Sequence, residues 1–223
     1  MKITKRPEPI DNEKLPDSHK TIMSKTNHKG IIEFANNYFV EISRYKVWEL
    51  MGQPHNVVRH PDMPRVIFKW LWDRLKHGKP IRAFVKNLSK DGSYYWVIAD
   101  VRPVIKNDTV KFYSRRKGIT DKVKNQISNL YRELKEVEKV KGMEGSEAFF
   151  NDYLKSINLD YDSFVLQVLG MTEKELDHYI YEQISKSEEE YTNVSSGEIE
   201  DLLIKLDENE EFESEWLKTG SQG

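Results

Sequence analysis

Residues 52–64 read GQPHNVVRHPDMP: two His, one Arg, one Asp and three Pro within thirteen positions. Proline fixes φ and removes a donor, so such a run can hold polar side chains in place without a repeating hydrogen-bond ladder. Arg59 offers a planar fork suited to phosphate or carboxylate. His60 adds a donor that titrates near neutrality, and Asp62 can orient either neighbour. On residue types alone, a rigid structural loop with Arg59 and Asp62 in a local salt bridge is the plainer account. Elsewhere chemistry is sparse. The six His, at 19, 28, 55, 60, 77 and 178, show no ligand spacing, and there is no Gly-rich phosphate loop, HExxH or nucleophile elbow. The absence of Cys excludes a disulfide framework, cysteine-ligated metal and thiol catalysis. No catalytic set assembles, so no enzymatic turnover is expected.

The elements around this stretch follow from periodicity. Residues 19–26 and 31–35 predict two strands joined by the turn Asn27-His28-Lys29-Gly30. Residues 36–53 turn helical through Phe39, Ile42, Tyr45, Trp48 and Met51. Pro64 suits the first turn of a helix over 65–77, whose apolar face is Ile67, Phe68, Leu71, Trp72 and Leu75. Residues 81–88, 94–105 and 109–119 then predict an antiparallel meander. The order is that of an α+β module, with a pocket between sheet and short helices as its natural site.

The 223 residues exceed one such module. A short arm precedes it (1–18), and the module itself spans 19–120. An amphipathic helix follows over 121–141, with Val123, Ile127, Leu130, Leu134 and Val137 as a heptad seam. That seam suits docking on its own sheet or pairing with a second copy equally well. Gly142 to Gly145 reads as a hinge into a small helical region (142–185), and 186–223 is an acidic, Ser-rich tail. Ile199, Leu202, Leu203 and Leu206 in that tail could form an amphipathic helix that folds on a partner. Residues 1–141 carry 30 Lys and Arg against 16 Asp and Glu, and residues 142–223 carry 5 against 21. A basic half can grip nucleic acid, but mutual neutralisation of the halves is the simpler expectation. No run approaches a membrane span and the start lacks a secretory pattern, so a soluble cytoplasmic protein is expected.

The run GQPHNVVRHPDMP resembles the signature of the aerotaxis-receptor type of PAS domain. The likeness continues through MSKTNHKGIIEFANNYFVEISRYKVWELM before it and LWDRLKHGKPIRAFVKNLSKDGSYYWVIADVRPV after it, covering residues 20–119. It implies the PAS fold, an antiparallel sheet with short helices flanking a pocket, here followed by a helical C-terminal extension. In that family the domain holds FAD noncovalently and senses redox or oxygen state. Carried over by motif, the implied flavin-site residues are Asn36, Arg59, His60 and Asp62, with Trp72 and Asn87 as further pocket positions. Phe68, Trp72, Phe84, Tyr95 and Trp96 could supply a flat apolar slot, and Arg59 and His60 the cations for the pyrophosphate. Three positions depart from the pattern: Ile81 replaces the usual Trp, Arg44 stands where Gly is common, and Asn37 where Asp is common. The receptor type also continues into a membrane anchor and signalling coiled coil that this sequence does not show. The resemblance therefore implies a stand-alone sensory half of a bipartite energy-taxis system, signalling to a membrane-bound methyl-accepting-type transducer. The rival expectations are a cofactor-free PAS interaction module, a haem or small-ligand PAS sensor with His60 or another His as the iron ligand, and a DNA-gripping regulator. The negative C-terminal part argues against the last.

Overall fold

Period-two patterning draws five runs into strands. The computed structural model describes residues 6–106 and 109–181. In it β1 (Ile22–Asn27) and β2 (Ile32–Ala35) form a hairpin, while β3 (Ile81–Leu88), β4 (Tyr94–Lys106) and β5 (Thr109–Gly118) form a meander. β1 pairs antiparallel with β5, from Ile22 opposite Arg116 to Asn27 opposite Lys111. This joins hairpin and meander into one sheet of order β2-β1-β5-β4-β3.

Three helices cover one face of this sheet: α1 (Asn37–Ser43), α2 (Val47–Leu50) and α3 (Arg65–Lys76). The helical pattern over 36–53 is divided in the structure into two short helices. Arg44 adopts a left-handed φ of 61°, which ends α1. Glu49 then accepts the Lys46 backbone N–H at 2.9 Å and starts α2 afresh.

The proline-bounded stretch follows as a strap that includes a short 3-10 helix, His55–Val58. At its start, Gly52 N donates to Ile32 O at 2.9 Å and His55 N to Gly30 O at 2.9 Å, tying it to the β2 edge. At its end, Arg59 bridges to Asn87, and His60 N donates to Lys86 O at 3.3 Å, tying it to β3. The strap thus runs from one edge of the sheet to the other across the face that α3 covers.

The opposite face is covered from the C-terminal side by α4 (Asp121–Ser156), α5 (Tyr161–Leu169) and α6 (Glu173–Tyr181). Val123, Ile127, Leu130 and Leu134 are buried, so the predicted seam docks within its own chain, and Tyr131 donates to the Phe84 carbonyl at 2.8 Å. At Gly142 the backbone has φ 70° and ψ −174°, a region essentially confined to glycine, and the helix bends there. Residues 143–156 fold back, with Ser146 Oγ donating to Leu134 O at 3.1 Å. A Cβ at Gly145 would collide with the Lys141 side chain, so the second glycine permits the close return. Phe150 then stacks on Trp70 of α3 with centroids 4.9 Å apart, and one continuous hydrophobic core runs through strands and all the larger helices.

The N-terminal arm lies along the start of β4, with Lys14 N donating to Tyr94 O at 2.7 Å and Tyr94 N to Asn12 O at 3.0 Å. Residues 1–5 and the acidic tail, including its candidate amphipathic positions, lie outside the described residues. Among the described residues no helix is long and apolar enough to cross a membrane, and no three His, Asp or Glu gather to hold a metal.

Candidate ligand-binding cavity

A cavity of about 60 Å³ lies between α3 and the sheet. Alternation along the strands aims Val85 and Asn87 of β3, Ala99 and Val101 of β4, and Phe112, Ser114 and Arg116 of β5 into it. Helical spacing aims Phe68, Leu71, Trp72 and Leu75 of α3 at the same space. The strap contributes His55 and Arg59, and β1 contributes Ser24 and Thr26. Trp72 meets Phe112 edge-on with centroids 5.5 Å apart. The result is an apolar, aromatic chamber with a few converging polar groups, which is the usual composition of a ligand site.

Arg59 is one of those groups. Its guanidinium sits 4.1 Å from the Phe68 ring centroid, and Nη2 donates to Met63 O at 3.2 Å. Burial, reinforced by Arg6, lowers its pKa to about 10. Arg116 is the other cation. Its Nη2 donates to Ser24 Oγ at 2.7 Å and to His55 Nε2 at 2.6 Å. A guanidinium cannot accept, so His55 Nε2 must, and the imidazole is neutral. Burial and Arg116 together hold the His55 pKa well below its ordinary value. Arg116 Nη1 has no hydrogen-bond partner, and neither does Ser114 Oγ, two residues along on the same face of β5. Orphaned buried donors are rare in folded proteins, and here both line the cavity.

Of the residues singled out from sequence, Arg59, Trp72 and Asn87 converge on this chamber. Asn36, His60 and Asp62 stand outside it. Asn36 caps α1: its Oδ1 accepts from Phe39 N and Met23 N, both at 3.0 Å, and its Nδ2 donates to Thr21 O at 2.8 Å. His60 lies edge-on to Tyr94 and accepts from Asp62 N at 3.1 Å through Nδ1. Burial, with Lys86 nearby, lowers its pKa to about 4. The Asp62 carboxylate binds Lys86 Nζ at 2.6 Å, so the salt bridge expected with Arg59 is replaced by one across to β3. Phe68 and Trp72 line the chamber, whereas Phe84 and Trp96 belong to the alternate set of strand positions, on the side of α4. Ile81 and Tyr95 share the parity of the cavity-facing residues but are buried in the core beyond its wall.

Neither residue type nor the resemblance assigns a role to Ser24, Ser114 or Arg116, and His55 stands in the 52–64 run without one. By residue type alone, nothing in the run Ser114-Arg115-Arg116-Lys117 marks an inward-facing cation, because Arg and Lys are mostly exposed. The available signal was period two: Ser114 and Arg116 share the strand face of Val110 and Phe112, its fully apolar positions.

Residues 32–114 match the family model described as PAS fold. Over 115 residues, 51% of this chain, the sequence is 43% identical to the aerotaxis receptor of Escherichia coli (strain K12), of which the match covers 23%. Over 83 residues, 37% of this chain, it is 29% identical to the nitrogen fixation regulatory protein of Klebsiella pneumoniae, of which it covers 17%. Among solved structures, the PAS domain of a protein from Colwellia psychrerythraea aligns with a TM-score of 0.41 at 20% identity, covering 45% of this chain and 86% of that one. The matches thus span less than a quarter of the length of either curated relative.

Proposed function

Because residues 32–114 form a PAS domain of the aerotaxis-receptor type, we propose that the chamber behind α3 holds FAD noncovalently and that the chain signals redox or oxygen state to a partner. The partner is a membrane-bound methyl-accepting-type transducer, met by this chain from the cytoplasm. No substrate turnover belongs to this reading. The observation that carries it is the chamber itself: an aromatic wall with two buried donors, Arg116 Nη1 and Ser114 Oγ, that have no partner within the fold.

The donor set fits a flavin. Phe68 and Trp72 would flank the ring, the Asn87 amide would meet its polar edge, and Arg59 would face the pyrophosphate. When bound, FAD supplies a two-electron redox couple. The closed volume is the strict requirement. About 60 Å³ is well below the ~300–1,000 Å³ of typical ligand clefts. A tricyclic ring therefore enters only if Phe68, Leu71 and Trp72 swing outward with α3. The same volume favours the second reading, a cofactor-free PAS interaction module.

The test is an absorbance spectrum of the full chain refolded with excess FAD and freed of unbound flavin. Flavin bands that travel with the protein are expected, and their absence favours the cofactor-free module. A Soret band in protein purified without added cofactor would favour the haem reading instead. Arg59→Ala should weaken FAD by about tenfold or more, the worth of a lost charge-assisted hydrogen bond. His60→Ala should retain FAD wherever circular dichroism shows it folded.

A further inference from the structure

Arg116 is a buried charge without a counter-charge. The residue is 4% exposed, and it lies within the fold against Ser24, His55 and the Phe39 ring. Among the described residues no carboxylate pairs with it, although Arg82 and Arg102 of the same sheet share Asp100. Its two acceptors, a hydroxyl and a neutral imidazole, use only Nη2. Placing a lone cation in an apolar chamber is costly unless something neutralises it. Nη1 and the Ser114 hydroxyl both border the open volume.

We propose that Arg116 reads the charge of whatever fills the chamber, favouring a ring that is anionic over the same ring when neutral. This rests on the flavin reading. An oxidised isoalloxazine is neutral. Two electrons from an external reductant and one proton leave the reduced ring with a single delocalised negative charge. One guanidinium matches one such charge. The other titratable groups on the chamber wall are His55, held neutral, and Arg59, held against Phe68 and the Met63 carbonyl. A phosphate is the other source of anionic oxygen. It would have to be stripped of water to reach so enclosed a donor, and Arg59 already answers it.

The experiment compares affinities for oxidised and dithionite-reduced flavin, using FAD and, in a separate arm, riboflavin, which has no phosphate. Full-length wild type is expected to bind both flavins at least tenfold more tightly when reduced. R116Q should shrink that ratio by about tenfold beyond any loss for the oxidised form, with R116K intermediate. A ratio unchanged in R116Q overturns the proposal, as does a loss confined to FAD, which would make Arg116 a phosphate ligand. A second measurement needs no variant. The spectrum of reduced flavin bound to wild type should stay that of the anion at least one pH unit below the point where free reduced flavin protonates. Protonation at the free value also overturns the proposal. Wild type that takes up neither flavin refutes the flavin reading itself, a result distinct from an insensitive R116Q.

Discussion

His55 and His60 are both buried as neutral imidazoles, for different local reasons. His55 accepts from a guanidinium, and His60 accepts from a backbone amide. Both have pKa values below the ordinary one, His60 at about 4. Once unfolded, each returns to about 6.5 and binds a proton the native state refuses. The stability these groups contribute is therefore complete above pH ~6.5 and is lost as pH falls toward the folded values. The urea midpoint should be level from pH ~8 to ~7 and drop between ~6.5 and ~5, a window in which ordinary carboxylates remain ionised. In H60Q the drop should be shallower. A wild-type midpoint that stays level down to pH ~5 would contradict the neutral assignment. Nothing in the residue types of the 52–64 run distinguishes Arg59, which faces the chamber, from His60 and Asp62, which face away from it. That division is made by the pairing of the strap with β3, a contact made by residues 28 apart in sequence.

At the scale of elements, the break between α1 and α2 was hidden because Arg44 occupies a backbone position that glycine would have advertised. A non-glycine residue in the left-handed region costs roughly 1–2 kcal/mol. Arg44 is exposed, and its approach to Asp91 is loose, at 3.8 Å. Arg44→Gly should therefore stabilise the fold by about 0.5–1 kcal/mol after the greater unfolded-state freedom of glycine is counted, read as a raised urea midpoint. A lowered midpoint would mean that the ion pair outweighs the backbone. The strands were legible because alternation is local. The hinge at 142–145 was legible because each of its glycines answers a geometric need. What α6 does was not legible. Tyr181 donates to Asp100 at 3.0 Å and lies under the guanidinia of Arg102 and Arg115, at 4.9 and 4.7 Å from its ring. Asp100 and Arg115 alternate in the strands with Ala99 and Arg116, which face the chamber. α6 is thus fixed to the reverse side of the chamber floor. Tyr181→Phe combined with Asp177→Asn should speed amide exchange in α6 at least several-fold while leaving exchange in β4 within the same protection class. Unchanged exchange in α6 would place its anchorage in Leu176 and Ile180 instead.

At the scale of the molecule, acidic side chains of the C-terminal helices pair, among the described residues, with cations of α3 and the sheet. Glu147 meets Lys69 at 2.9 Å, Asp162 holds Arg74 at 2.7 Å, and Asp177 binds both Arg82 and Arg102, at 2.6 and 3.1 Å. These pairs are partly exposed and individually worth little, so they orient the helices more than they hold them. The holding is apolar: Phe150, Phe164, Leu176 and Ile180 are almost completely buried in the core that also contains Phe84 and Trp96. If that packing sustains the PAS sheet, a chain ending at Lys141 should lose at least about 2 kcal/mol, the cost of opening one large core contact. Its urea midpoint should fall, and its Trp emission should shift to the red as Trp70 loses the Phe150 stack and the Glu147 carboxylate. Salt should distinguish the two contributions. Raising ionic strength to about 1 M screens the partly exposed pairs and leaves the apolar contacts intact, so the full-length midpoint should move far less than truncation moves it. A 1–141 chain that unfolds at the full-length midpoint would show instead that the helices rest on the sheet without supporting it, and a signal crossing the chamber floor would then reach an element free to leave.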